Sequence, residues 1–207
     1  MENLRLFLGI ALPENVERFL GGRADWMKPK LSFRKWAHPA DYHITLHYLG
    51  NIPQDRVPDI EQAIQDTADI AAPPHLSLAA PGMFGPESSP RVLWCGIQEL
   101  SSAAPVAGSP AASPLHALHG TLGEHLQARI GYRPESRTYH PHITLARDCA
   151  GGHCAKRTVK ELWDTASGTD GQQPGPWRCR DITLFRSHLG RSPSYERMAS
   201  IPLRNME

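Results

Sequence analysis

One four-residue pattern occurs twice in this chain, and each copy sets a histidine two residues ahead of a threonine. The copies are His43-Ile44-Thr45-Leu46 and His142-Ile143-Thr144-Leu145. Pro39, Ala40 and Asp41 precede the first and Pro141 the second, so each pattern follows a loop. Ile, Thr and Leu fit a pleated, half-buried surface, which makes each copy read as the start of a strand. Alternation then puts His43 and Thr45 on one face, with Ile44 and Leu46 on the other, and the same holds for the second copy. Two such strands facing one cleft supply two imidazoles and two hydroxyls. Imidazole is the side chain best placed to hold either protonation state near neutral pH. A neutral and a charged histidine together can deprotonate water and protonate a departing oxygen. Threonine hydroxyls can meet the non-bridging oxygens on which charge accumulates. Phosphodiester hydrolysis needs these operations and requires neither metal nor cofactor. Arg147, five residues after His142, is the guanidinium for a phosphate oxygen, although strict alternation turns it to the opposite face.

Other side chains offer themselves less sharply. His47 shares the alternation face of His43, and either lines the groove or stands partly exposed with no chemical role. Phe84 and Trp36 suit stacking on a nucleobase, and packing inside a lobe suits Trp36 at least as well. Cys149 and Cys154 with His153 between them invite a zinc reading, but the spacing is not a finger half-site and no second pair follows. His116, His119 and His125 fall on one helical stretch, where a solvated face is a better account than a metal pair. The chain holds no Gly-x-Ser-x-Gly elbow and no phosphate-binding Gly-x-x-x-x-Gly-Lys-Ser/Thr loop.

The positioning elements follow from periodicity. Arg5–Leu12 is an apolar run suited to a central strand, and Pro13 precedes a helix over Glu14–Trp26 with Val16, Phe19 and Leu20 on one stripe. Phe33–Ala37 is a short strand leading into the first motif, which Gly50 to Pro53 ends. Asp55–Ala71 carries a helical stripe. Leu76–Ala80 and Arg91–Ile97 read as strands, with a Gly/Pro loop around Phe84 between them. Leu115–Ile130 is a helix, Thr158–Trp163 a short helical piece, and Asp181–Ser187 and Tyr195–Leu203 are closing strands. Ser101–Pro114 is a low-complexity loop. The order is strand-helix-strand-strand twice over, with turns such as Gly190-Arg191-Ser192-Pro193 that suit antiparallel neighbours. This predicts an α+β fold of two pseudo-symmetric lobes around a central cleft, with residues 1–207 forming one domain. With 22 Lys+Arg against 21 Asp+Glu in 207 residues, whole-chain charge gives no case for wrapping long duplex nucleic acid. The first segment carries Glu2 and Arg5 and is strand-like, not a signal peptide, and no apolar run reaches a membrane span. A cytoplasmic protein without a membrane partner is expected, its four cysteines reduced.

The segments Trp36 to Gly50 (WAHPADYHITLHYLG) and Tyr139 to Asp148 (YHPHITLARD) resemble the two signature motifs of the two-histidine phosphoesterase superfamily. Within it the likeness is to the bacterial RNA 2′,3′-cyclic phosphodiesterases, also called 2′-5′ RNA ligases. RLFLGIALP near the start, PRVLWCGI at Pro90 to Ile97 and RDITLFRSHLGRSPSYERM at Arg180 to Met198 resemble that family's other blocks in the expected order. The resemblance implies a bilobal fold in which each lobe brings one His-x-Thr to the groove. It implies metal-free opening of a ribose 2′,3′-cyclic phosphate to a 2′-phosphomonoester. It also implies His43 as proton donor to the leaving 3′ oxygen, His142 as proton acceptor from water, and reversal of the chemistry to form 2′-5′ linkages. Tyr195 resembles a family tyrosine near the groove, and equally suits a strand position with its hydroxyl in solvent. The expected partners are RNA cyclic phosphate ends or small cyclic nucleotides, met by a monomer. A module that binds RNA ends with little turnover is the alternative, and intact histidines favour the enzyme.

Overall fold

Leu4, Leu6, Leu8 and Ile10 are buried on one face of the first strand, β1 (Asn3–Ala11), and Phe7 and Gly9 on the other. A strand apolar on both faces belongs in the middle of a sheet, and β1 pairs on both edges, with β3 (His43–Pro53) and β8 (Asp181–Ser187). The computed structural model describes residues 2–86, 89–100, 113–151, 154–166 and 173–204. Most of the Ser101–Pro114 segment, His153 and part of the Cys149–Gly175 stretch lie outside the described residues.

The remaining strands are β2 (Phe33–Trp36), β4 (His75–Phe84), β5 (Val92–Glu99), β6 (His142–Cys149), β7 (Trp177–Arg178) and β9 (Tyr195–Pro202). They form one antiparallel sheet in the order β7-β4-β5-β6-β3-β1-β8-β9, with β2 against β6. The two halves of the sheet meet where Ile44 of β3 faces Ile143 of β6, the apolar centres of the two repeated motifs. Helices α1 (Glu14–Met27) and α4 (Lys156–Thr165) contact one another, and α4 packs on β4. Helices α2 (Val57–Ala68) and α3 (Pro114–Ile130) pack together behind β3, β8 and β9. The chain therefore weaves between lobes: α1 follows β1 yet contacts α4 of the other half, and β2 pairs with β6 of the second motif. No helix among the described residues is long and apolar enough to cross a membrane.

Three local expectations are corrected. The strand of the first motif does not stop at Gly50, because β1 pairs with it as far as Asn3 opposite Pro53, and the left-handed Gly50 (φ 77°) takes up the register slip there. Phe84 closes β4 instead of lying in a loop, paired with Val92. Cys149 and Cys154 are not reduced thiols but a disulfide. Positive φ at Asp148 (60°) and Gly151 (95°) turns the chain after β6 and brings the two α-carbons to 6.7 Å. With both sulfurs bonded to each other, neither is a thiolate ligand for zinc. Cys95 and Cys179 remain free and buried.

The histidines of α3 are not simply a solvated face. His119 stacks between His47, at 4.2 Å, and Tyr139, at 4.0 Å, while His125 Nδ1 lies 2.8 Å from the hydroxyl of Thr67 on α2. His116 is exposed, and its Nδ1 lies 2.9 Å from the Ser113 hydroxyl that caps the helix.

Candidate active site

The two motifs are built alike down to a shared irregularity. Along β1 and β3, Gly9 faces Thr45 but Leu8 faces His47, so Leu46 is an extra residue. Along β5 and β6, Trp94 faces Thr144 but Leu93 faces Ala146, so Leu145 is the extra residue. A bulge reverses alternation beyond it. Ile44, Leu46 and His47 are consequently buried while Tyr48 is exposed, and Ile143, Leu145 and Ala146 are buried while Arg147 is exposed. The parity objection to Arg147 disappears: the bulge returns it to the face of His142 and Thr144. The same step turns His47 inward, where it still lines a cavity with Thr45, His142 and Arg147. It is 3 % exposed, its Nε2 donates to the His119 carbonyl at 2.8 Å, and its ring lies under Gly123 of α3.

Both motif histidines are oriented by a carbonyl two residues upstream. His43 Nδ1 lies 2.7 Å from the Asp41 oxygen, and His142 Nδ1 lies 2.7 Å from the His140 oxygen. A carbonyl only accepts, so the proton sits on Nδ1 and each neutral ring keeps a lone pair on Nε2. The Nε2 of His43 takes up Thr45 Oγ1 at 3.0 Å. Around His43 stand Phe7, at 4.7 Å, Tyr195, edge-on at 5.2 Å, and Phe185, at 5.6 Å. Around His142 stand Phe84, edge-on at 4.9 Å, and Trp94, at 6.2 Å.

Burial among these rings is the largest influence on His43 and pushes its pKa down to about 4. The Asp41 carbonyl and carboxylate oppose that shift, while the charges of Arg147 and His142 add to it. His142 is lowered for the same first reason, with help from His140 and Arg147 and opposition from the His140 carbonyl. Arg147 acts on both imidazoles and on Tyr195, whose hydroxyl is raised chiefly by burial, so these four groups share one electrostatic site. Arg147 also lines two cavities. One, of about 620 Å³, holds Thr45, Phe84 and His142, and the other, of about 490 Å³, holds Thr144 and Tyr195. Trp36, half-buried and edge-on to Phe33 at 6.1 Å, faces the second.

Several working residues escaped the sequence reading. Asp41 is 8 % exposed, and its carboxylate accepts from the backbone N–H of Ser194 (2.9 and 2.8 Å) and of Tyr195 (3.0 Å), so it ties Tyr195 to the turn that holds His43. Its place two residues before a motif histidine was the available signal. Tyr139 donates its hydroxyl to the Thr45 carbonyl at 3.1 Å, bridging the two motifs. At Gly9 an added Cβ would stand 2.8 Å from the Ile44 carbonyl oxygen, so only glycine lets β1 approach this closely behind His43.

The profile of the 2′-5′ RNA ligase superfamily matches residues 17–191. A Bacillus subtilis (strain 168) protein named RNA 2′,3′-cyclic phosphodiesterase is 28 % identical over 200 residues, covering 95 % of this chain and 95 % of its own length. A Geobacillus stearothermophilus protein of the same name is 28 % identical over 203 residues and 98 % of this chain, which spans 58 % of that protein's length. A crystal structure from Thermus thermophilus shares the fold, with a TM-score of 0.70 at 24 % identity over 98 % of this chain and 100 % of that one. The profile match takes in both His-x-Thr motifs, the two bulges and Arg147, and the chain belongs to the 2′-5′ RNA ligase superfamily.

Proposed function

We propose that this chain, like the relatives named RNA 2′,3′-cyclic phosphodiesterase, acts on 2′,3′-cyclic phosphates, and that it opens them, on RNA ends or small nucleotides, to 2′-phosphomonoesters. The observation that carries the reading is the pair of imidazoles, each tethered through Nδ1 to a carbonyl so that Nε2 keeps its lone pair, and both under the charge of Arg147. Water attacks phosphorus as His142 takes its proton at Nε2, and the bond to the 3′ oxygen breaks as His43 delivers a proton there. Thr45, Thr144 and Arg147 hold the non-bridging oxygens. Burial favours the neutral form of His43, and an anionic phosphate beside it favours the charged form that an acid requires. Phe84 and Tyr195 wall the site, and His47 supports the strand from beneath. With an RNA 5′-hydroxyl attacking phosphorus in place of water, the same proton transfers in the same direction break the bond to the 3′ oxygen and form a 2′-5′ linkage.

The reading takes residues 1–207 as one two-lobed domain working as a cytoplasmic monomer without a metal. It is tested by hydrolysis of a nucleoside 2′,3′-cyclic phosphate in EDTA. His43→Ala and His142→Ala are each expected to lower kcat about 10²- to 10⁴-fold. Activity that survived both substitutions would refute the two-histidine scheme, and activity lost to the chelator would refute its independence of metal.

A further inference from the structure

Arg147 divides the groove into two cavities of different chemistry. The one with Phe84, Tyr139 and His142 is rich in rings, and of its arginines other than Arg147, Arg137 is paired with Glu135. The other is walled by Lys28, Arg34, Lys35 and Arg191 in addition to Arg147. Lys35 is paired with Asp148 at 2.9 Å, but Lys28, Arg34, Arg147 and Arg191 make no salt bridge among the described residues. The acid lining that cavity, Asp41, already spends its carboxylate on the backbone of Ser194 and Tyr195. In a chain with 22 basic and 21 acidic residues, this clustering is local. Asp148 and Glu196 feel these charges without forming salt bridges to Arg34, Arg147 or Arg191, and cations gathered in such excess are suited to a polyanion.

The cationic cavity runs into a smaller one of about 280 Å³, with which it shares Lys28, Trp36 and His38. That space is lined by Asp25 and Tyr42, and the Tyr42 hydroxyl is buried with no hydrogen-bond partner. An orphaned hydroxyl and an exposed carboxylate beside a cationic, tryptophan-walled groove offer a donor and an acceptor to the edge of a nucleobase.

We propose that these connected cavities form a second nucleotide subsite, which holds the nucleotide upstream of the cyclic phosphate in an RNA strand. The proposal rests on the phosphodiesterase reading of the groove. The linking phosphate lies against Lys28, Arg34 and Arg191, the upstream base stacks on Trp36, and its edge meets Asp25 and Tyr42. The terminal base occupies the ring-walled cavity across Arg147. The preferred substrate is accordingly an oligoribonucleotide end, not a cyclic mononucleotide.

The test compares kcat/KM for uridine 2′,3′-cyclic phosphate with that for an oligouridylate carrying the same end. Wild type is set against a Lys28→Ala, Arg34→Ala, Arg191→Ala triple variant. Wild type is expected to prefer the oligonucleotide by roughly ten-fold or more at low salt, since each stacked base and each paired phosphate adds to binding. The triple variant should lose that preference while its rate on the mononucleotide stays within about two-fold. Its salt slope should fall by roughly 0.7 for each phosphate contact removed. Trp36→Ala should weaken the oligonucleotide alone, and Trp36→Phe, which keeps a ring, should restore it. Equal rates on the two substrates, or equal losses on both in the triple variant, would overturn the subsite. Hydrolysis of neither substrate would overturn the phosphodiesterase reading itself. Fluorescence anisotropy with an oligonucleotide ending in a 2′-phosphate then still decides the subsite: weaker binding by the triple variant supports it, and equal binding refutes it.

Discussion

Asp41→Asn separates two jobs that one residue performs. The backbone carbonyl of residue 41 tethers His43 Nδ1, and asparagine keeps it. The side chain changes in one atom. Oδ1 accepts from both Ser194 N and Tyr195 N, and an amide oxygen in that place can go on doing so. Oδ2, 2.8 Å from Ser194 N, becomes an NH₂ set against an N–H. A buried charge-assisted bond turned into a donor–donor contact costs about 2 kcal/mol, which in a chain of this length lowers the melting temperature by roughly 4–8 °C. The lost carboxylate also removes a charge that raises the pKa of His43, so the imidazole must move further down. Above its pKa the protonated fraction of an acid falls tenfold for each unit of decrease. Under the proposed role, kcat/KM near neutral pH therefore drops and the limb assigned to His43 moves to lower pH. Thermal melts, an NMR titration of the His43 imidazole and a pH–rate profile measure the three effects separately. Unchanged melting together with an unchanged His43 titration would refute this account of Asp41, and a limb moving to higher pH would refute the charge argument alone.

Three other outcomes follow from named contacts. Gly9→Ala puts a Cβ 2.8 Å from the Ile44 oxygen and 3.4 Å from His43 Cδ2, so it should cost about 1–3 kcal/mol and on the order of 100-fold in kcat/KM. Gly120→Ala, on α3 with nothing within 4 Å, should instead add about 0.5–1 kcal/mol at full activity, and equal behaviour of the two variants would remove the close-approach argument. His43 and His119 are each lowered to about 4, chiefly by burial, so between roughly pH 4 and 6.5 the unfolded chain binds more protons than the folded one. Stability is full above that window and is lost as pH falls through it, by at most about 3 kcal/mol for each histidine, and a flat denaturation midpoint from pH 7 to 4.5 would contradict this. Reduction of Cys149–Cys154, which closes a loop of sequence separation 5, should cost about 2 kcal/mol, read as a melting difference that a Cys149→Ser, Cys154→Ser variant no longer shows on adding reductant.

Periodicity located the helices and strands because stripes such as Leu115, Leu118, Leu122 and Leu126, all buried on α3, are local properties of the chain. The four motif residues were legible for the same reason, since alternation over three residues survives any register. What alternation could not reveal is the bulge, because a register slip belongs to a pair of strands: it needs Leu8 against His47 and Leu93 against Ala146, partners far apart in sequence. That one feature buries His47 beneath the cavity it lines, and it made Arg147 look misplaced. The rings around His43 come from β1, β8 and β9, and the disulfide depends on the turn after Asp148, so no short window contains either. The bulge also bears on why two equivalent histidines can do unequal work. The position after it that holds Arg147 in β6 holds Tyr48 in β3, paired with Phe7 and covered by Arg5 at 5.5 Å. One half thus brings a guanidinium to the proposed phosphate position while the other brings rings that desolvate His43. A desolvated imidazole takes up a proton readily only beside an anion, which under the proposed roles arrives with the substrate, so the proposed acid is charged when there is a leaving oxygen to receive its proton. Replacing Phe7 with a small residue would rehydrate His43 and weaken that link between binding and protonation, whereas the less enclosed His142 needs no such link to act as a base.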